Sequence, residues 1–142
     1  MRLLGLDVGS KKIGVAVGET IGNELTTIIA PKDDNFYSSS GYNYAEQEIS
    51  KILREEEAQA IVVGLPVNEQ GHHTEESAKI EKFAEKLKSQ LKIDIYFVDE
   101  TLTSFMADEM LESQGIDPQE RKQRVHQLAA ELILEQYLED AR

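Results

Sequence analysis

The chain of 142 residues contains no cysteine. This excludes disulfides and thiolate metal sites and suits a reducing compartment, so a cytoplasmic location is expected. Long apolar runs are also missing. The amino terminus passes from Met1-Arg2 straight into a short strand-like segment, and no membrane association and no removable leader are expected. Cations are scarce: 15 Lys and Arg stand against 27 Asp and Glu, for a net charge of -12. Such a balance argues against broad, non-specific adhesion to nucleic acid. The cations present are uneven, with Lys11-Lys12 in one place and Arg121, Lys122 and Arg124 in another. Acidic runs at 55–57, 75–76 and 139–140 read as solvated helix faces or ends. No repeat or linker composition interrupts the chain, so a single domain over residues 1–142 is expected.

The most informative stretch that is present is Leu3-Leu4-Gly5-Leu6-Asp7-Val8-Gly9-Ser10-Lys11-Lys12-Ile13-Gly14-Val15-Ala16-Val17. It reads as a hairpin of strands 3–6 and 13–17 around a glycine turn, with Asp7 at the end of the first strand. An acid on a buried strand costs several kcal/mol unless a partner or a metal compensates it. Asp7 is therefore the first candidate metal ligand, set against the plainer reading that it caps the turn.

Residues 24–30 predict a third strand closed by Pro31, and 32–43, rich in Asp, Ser and Gly, a mobile loop that Tyr42 and Tyr44 pin down, or from which they stack on a base. Helical spacing predicts helices at 44–57, 74–91, 102–113 and 119–138. Strands are expected at 60–66 and 93–98. The order is βββαβαβα with one more helix. It predicts an α/β fold with a mixed five-stranded sheet, three antiparallel strands followed by parallel ones, and helices on both faces.

Asp99-Glu100 ends the last strand, so a sheet that sets this strand near Asp7 gathers two or three carboxylates. Oxygen ligands without sulfur select Mg²⁺ or Mn²⁺, ions that activate water and stabilise charge on a phosphoryl group. The plainer reading of Asp99-Glu100 is helix capping. The segment Val63-Gly64-Leu65-Pro66-Val67-Asn68-Glu69-Gln70-Gly71 offers backbone amides and Asn68 to a phosphate or base, or is an ordinary tight turn. His72-His73 lacks the spacing for zinc.

Four segments in order, Leu-Asp-Val-Gly-Ser-Lys-Lys-Ile-Gly-Val-Ala-Val, Val-Val-Gly-Leu-Pro-Val-Asn-Glu-Gln-Gly, Val-Asp-Glu-Thr-Leu-Thr-Ser and Ala-Ala-Glu-Leu-Ile-Leu-Glu-Gln-Tyr-Leu, resemble the YqgF (RuvX) family over nearly the whole chain. The resemblance implies an RNase H-like fold. It also implies a nuclease associated with maturation of the 5′ end of pre-16S ribosomal RNA, described as well as Holliday-junction resolvase-like. By position Asp7 matches the family's first acid and Glu100 the acid at the strand end, with Asp99 beside it. Two positions depart from the family pattern: Thr101 stands where an arginine is usual, and His126 where an aspartate is usual in the last helix. The neighbours of His126 on its helix face are Lys122, Gln123, Ala129 and Ala130, so no nearby carboxylate replaces the missing one.

The leading reading is a metal-dependent nuclease. Asp7, Glu100 and His126 are its catalytic candidates, Asp7, Glu100 and Asp99 its candidate ligands for Mg²⁺ or Mn²⁺, and Lys11, Lys12, Asn68 and Thr103 its candidate substrate-binding residues. Its expected partners are structured RNA or branched DNA, and pre-ribosomal particles. Both monomer and homodimer are open, a two-fold junction favouring the dimer. A second reading is a non-catalytic binding module in ribosome assembly. A third comes from the Asp-x-Gly-Ser turn, which resembles the first phosphate motif of actin-like ATPases and sugar kinases. Length opposes that reading, because those proteins clasp nucleotide between two lobes.

Overall fold

The computed structural model describes residues 1–100 and 103–141, without the side chains of Thr103 and Ser104. Its strands are β1 (Leu3–Val8), β2 (Lys12–Gly18), β3 (Gly22–Ile29), β4 (Ala60–Pro66) and β5 (Asp94–Glu100). Its helices are α1 (Ser39–Glu56), α2 (Glu75–Leu91), α3 (Thr103–Ser113) and α4 (Pro118–Asp140). One sheet runs in the order β3-β2-β1-β4-β5, with β1 antiparallel to β2, β2 antiparallel to β3, and β1, β4 and β5 parallel. This is the mixed sheet expected from the sequence.

Strand alternation divides the apolar residues between two layers. Leu4, Leu6, Val8, Ile61, Val63 and Leu65 face α1 and α2, meeting Ile49, Leu53, Phe83 and Leu87. Leu3, Ala16, Ala60, Val62 and Val98 face α4, meeting Ala130, Ile133 and Leu134. A smaller cluster of Ala107, Leu111, Leu128 and Ala129 joins α3 to α4.

Helix α4 lies unusually close to the sheet because glycines lie beneath it. A Cβ on Gly14 would fall 1.8 Å from the His126 carbonyl oxygen, and one on Gly5 would fall 2.8 Å from that of Ala130. The amino end of α4 is fixed by Asp117, whose side chain accepts from the amides of Gln119 and Glu120, with Pro118 in the first turn. Its outer edge is tied to β3 by Arg124 Nη2 donating to Glu24 Oε2 at 3.0 Å.

Glu131 and Glu135 follow on α4, and both carboxyls are held above the ordinary glutamate value. Burial is the main cause. The charges of Glu135 and Glu24 add to it for Glu131, and that of Glu139 for Glu135. A raised folded-state pKa means that the native state loses stability as pH rises through it. Glu131→Gln should therefore raise the melting temperature at pH 7. The gain should fade as pH drops below the ordinary value of 4.5, which thermal denaturation at both pH values checks.

Two boundaries differ from expectation. The segment 32–43 is not loop throughout, since α1 starts at Ser39. Ser38 caps it by accepting from the Gly41 amide, and Gly41 lies so close to the Asn35 carbonyl oxygen that a Cβ would fall 1.7 Å away. The remainder is anchored: Phe36 is fully buried, its amide donates to the Ser10 carbonyl at 2.8 Å, and Lys11 Nζ donates to the Asp34 carbonyl. Strand β5 also runs two residues further than expected. Asp99 and Glu100 are thus strand residues and not helix caps.

Candidate active site

Asp7 sits one residue before the end of β1 and pairs across to Gly14. Paired residues of an antiparallel ladder share a face, so Asp7 lies on the α4 side, beneath the helix that Gly14 admits. There His126 Nδ1 stands 3.5 Å from Asp7 Oδ2, with the two side chains 31% and 15% exposed. An imidazole and a carboxylate are thus held together at the edge of solvent.

Glu100 reaches the same place from the far side of β4. Along β5, alternation puts Glu100 on the face of Tyr96 and Val98, which pack towards α4. Its carboxyl carbon lies 3.4 Å from where a Cβ of Gly64 would be. Gly64 follows Val63 on β4 as Asp7 follows Leu6, the partner of Val63, on β1, so both lie just past the end of that ladder.

Asp99 is not part of this group. Alternation turns it to the opposite face, where its Oδ1 lies 2.8 Å from His73 Nε2. The expectation that Asp99 stands with Asp7 and Glu100 is corrected by the length of β5. His73, in turn, is held by an isolated bridge between Val67 and His73 across the loop after β4.

The expected substrate-binding residues are placed unevenly. Asn68 is occupied within its own turn, its Oδ1 accepting from the amides of Gln70 and His72 at 3.0 Å each, with Gly71 at φ +80° completing the reversal. It forms the tight turn of the plainer reading. Lys11 clamps the 31–38 segment through Asp34. Lys12 begins β2 two residues before Gly14, on the face shared with Asp7. The Thr103 side chain and Thr101 lie outside the described residues. Among the described residues, no three His, Asp or Glu side chains stand close enough to hold a metal ion by themselves.

Residues 1–140 match the family model described as RuvX, Holliday junction resolvase. The chain belongs to the RuvX family. Full-length relatives agree: a Lactobacillus johnsonii protein, whose assigned name is that of a pre-16S rRNA nuclease, is 40% identical over 100% of this chain and 98% of its own. A Chloroflexus aggregans protein with the same assigned name is 36% identical, over 99% of this chain and 94% of its own. Among solved structures, Thermus thermophilus RuvC in complex with a Holliday junction substrate superposes with a TM-score of 0.63 at 12% identity, covering 99% of this chain and 96% of that one. The fowlpox virus Holliday junction resolvase gives 0.58 at 8% identity, over all of both chains. The RuvX chain therefore has the RNase H-like fold of the RuvC resolvases. No helix among the described residues is long and apolar enough to cross a membrane.

Proposed function

We propose that this RuvX-family chain is a metal-dependent nuclease that hydrolyses phosphodiester bonds of structured RNA, in maturation of the 5′ end of pre-16S ribosomal RNA. The observation that carries this reading is the Asp7–His126 pair, with Glu100 on the same face at the carboxyl ends of two parallel strands. The names of the full-length relatives support the RNA substrate. A branched DNA, the Holliday junction, is the substrate bound in the RuvC complex, at much lower identity.

The donor set suits a divalent ion. Mg²⁺ and Mn²⁺ take hard oxygen ligands, and Mg²⁺ is commonly held by one or two carboxylates, with water and substrate phosphate completing its shell. Asp7 and Glu100 would supply the carboxylates, over a strand position kept free of a side chain by Gly64. The bound ion supplies a lowered water pKa and charge neutralisation at the phosphoryl group.

The chain's own residues do the rest. Asp7 orients the attacking water, whose oxygen forms the new bond to phosphorus as the ester oxygen leaves. His126, its Nδ1 towards Asp7, takes through its other ring nitrogen the proton that the water gives up, and the departing oxygen is protonated from solvent. Lys12, on the same face, lies where it can meet the phosphate backbone.

Labelled precursor RNA and a four-way DNA junction, incubated with Mg²⁺, Mn²⁺ or a chelator, test this reading. The expected result is cutting of RNA in either ion and none in chelator. Preferential cutting of the junction would replace the RNA substrate with DNA. No cutting under any condition would overturn the nuclease reading in favour of a binding module.

A further inference from the structure

A well-formed concavity of the described residues lies away from Asp7. It is a cleft of about 700 Å³ between α2 and the 31–38 segment, on the opposite face of the sheet. Four lysines line it, Lys11, Lys79, Lys82 and Lys86, against one acid, Glu76. In a chain of net charge -12, a cleft with a local excess of positive charge is the exception.

The cations are arranged in a row. Lys79, Lys82 and Lys86 recur at three and four residues, which puts them on one face of α2, about 10 Å from first to last at 1.5 Å per residue. All three are exposed, and none forms an ion pair among the described residues. Facing them are aromatic rings. Lys86 Nζ lies 4.2 Å from the centroid of Tyr42, which Phe83 fixes edge-on at 5.4 Å, and Lys79 Nζ lies 5.9 Å from that of Tyr37.

The opposite wall is preformed. The hydrogen bonds of Phe36 to Ser10 and of Lys11 to Asp34 tie it to the β1–β2 turn, which follows the strand end that carries Asp7. The Tyr37 hydroxyl donates to Glu76 Oε1 at 3.2 Å and is held above the ordinary tyrosine range, mainly by burial, with Glu76 next and Asp7 a smaller contributor. Tyr37 thus stays a neutral donor within electrostatic reach of the catalytic acid.

We propose that this cleft binds the phosphodiester backbone of the nucleic-acid substrate on the strand leading away from the scissile bond, with Lys79, Lys82 and Lys86 as its phosphate contacts. The proposal rests on the nuclease reading and extends it. A row about 10 Å long spans about three phosphates at the ~3.4 Å axial rise of a duplex strand. The β1–β2 turn lies between the row and Asp7, so a strand crossing that end of the sheet meets both. The row also reconciles a strongly acidic protein with a polyanionic substrate, because contact is confined to one cationic track.

Binding of a fluorescein-labelled RNA strand and of the corresponding RNA duplex is measured by anisotropy in chelator, so that cleavage does not intervene, across a salt series. The triple variant Lys79→Ala/Lys82→Ala/Lys86→Ala is compared with a charge-matched control, Lys51→Ala/Lys88→Ala/Lys92→Gly. Glycine is used at 92 because that residue has φ 51°. The cleft variant should lose about tenfold or more in affinity at low salt, and its slope of log affinity against log salt should be shallower by roughly 2 to 3. The control should keep the wild-type slope. Equal slopes and affinities in cleft variant and wild type, or equal losses in the two variants, would overturn the proposal. Cleavage by Asp7→Asn is read separately: if that variant binds RNA normally but does not cut it, the catalytic reading stands whatever the lysines show.

Discussion

Asp7→Asn should yield a folded protein whose cleavage rate has fallen by about 10²–10⁴-fold, the range associated with loss of a group that acts on the proton or the ion in the transition state. Asparagine keeps the volume and one oxygen of the carboxylate but removes its charge. The charge is what a divalent ion would need, and it faces the His126 ring at 3.5 Å. Stability should not fall, because the carboxylate is only 15% exposed on a strand and its partner is a single imidazole. Removing a poorly solvated charge is neutral or favourable to folding. Thermal melting together with initial rates on precursor RNA checks both halves. A variant that melts normally and cuts within twofold of wild type would remove Asp7 from the site.

Gly14→Ala should be among the most destabilising single substitutions in the chain, with a loss of about 3 kcal/mol or more by urea denaturation. The new methyl would sit 1.8 Å from the His126 carbonyl oxygen and 2.2 Å from its carbon. Both are backbone atoms of a helix in register with the sheet, so no side chain can rotate away. Relief requires α4 to lift, and lifting α4 withdraws His126 from Asp7. Cleavage should therefore fall even at temperatures where the variant is still folded. Gly71→Ala is the contrasting case. It has φ +80° and nothing within 4 Å of the added carbon, so it incurs only backbone strain of about 1 kcal/mol. Equal losses at the two positions would mean that α4 is not seated on β2 as described.

Much of this was legible from residue order. Asp7 stood out as an acid inside an apolar run, and alternating strand and helix patterns led to the mixed sheet. The separation of Asp99 from Glu100 was not legible, because it depends on β5 continuing as a strand to residue 100, where a period of two sends adjacent acids to opposite faces. The start of α1 was hidden for a related reason. Ser38, Ser39, Ser40 and Gly41 have loop composition, yet Ser38 is a cap and Gly41 is required by the nearby Asn35 carbonyl. The lysine row on α2 drew no notice in the sequence, where it has the spacing of any solvated helix face. What faces it, a segment some forty residues earlier, became evident only in three dimensions.

Glu100 closes β5, and three residues later the chain enters α3, which packs through Ala107 and Leu111 on α4. That small core is distinct from the two larger ones, so its free energy of local opening is set by a few apolar contacts and not by global unfolding. The Glu100 side chain, held by β5 beside Gly64, thus stands at the border between the sheet and this smaller core. Because Leu128 and Ala129 follow His126 closely on α4, a substitution that empties the small core at Leu111 reaches the Asp7–His126 pair through the helix that carries His126.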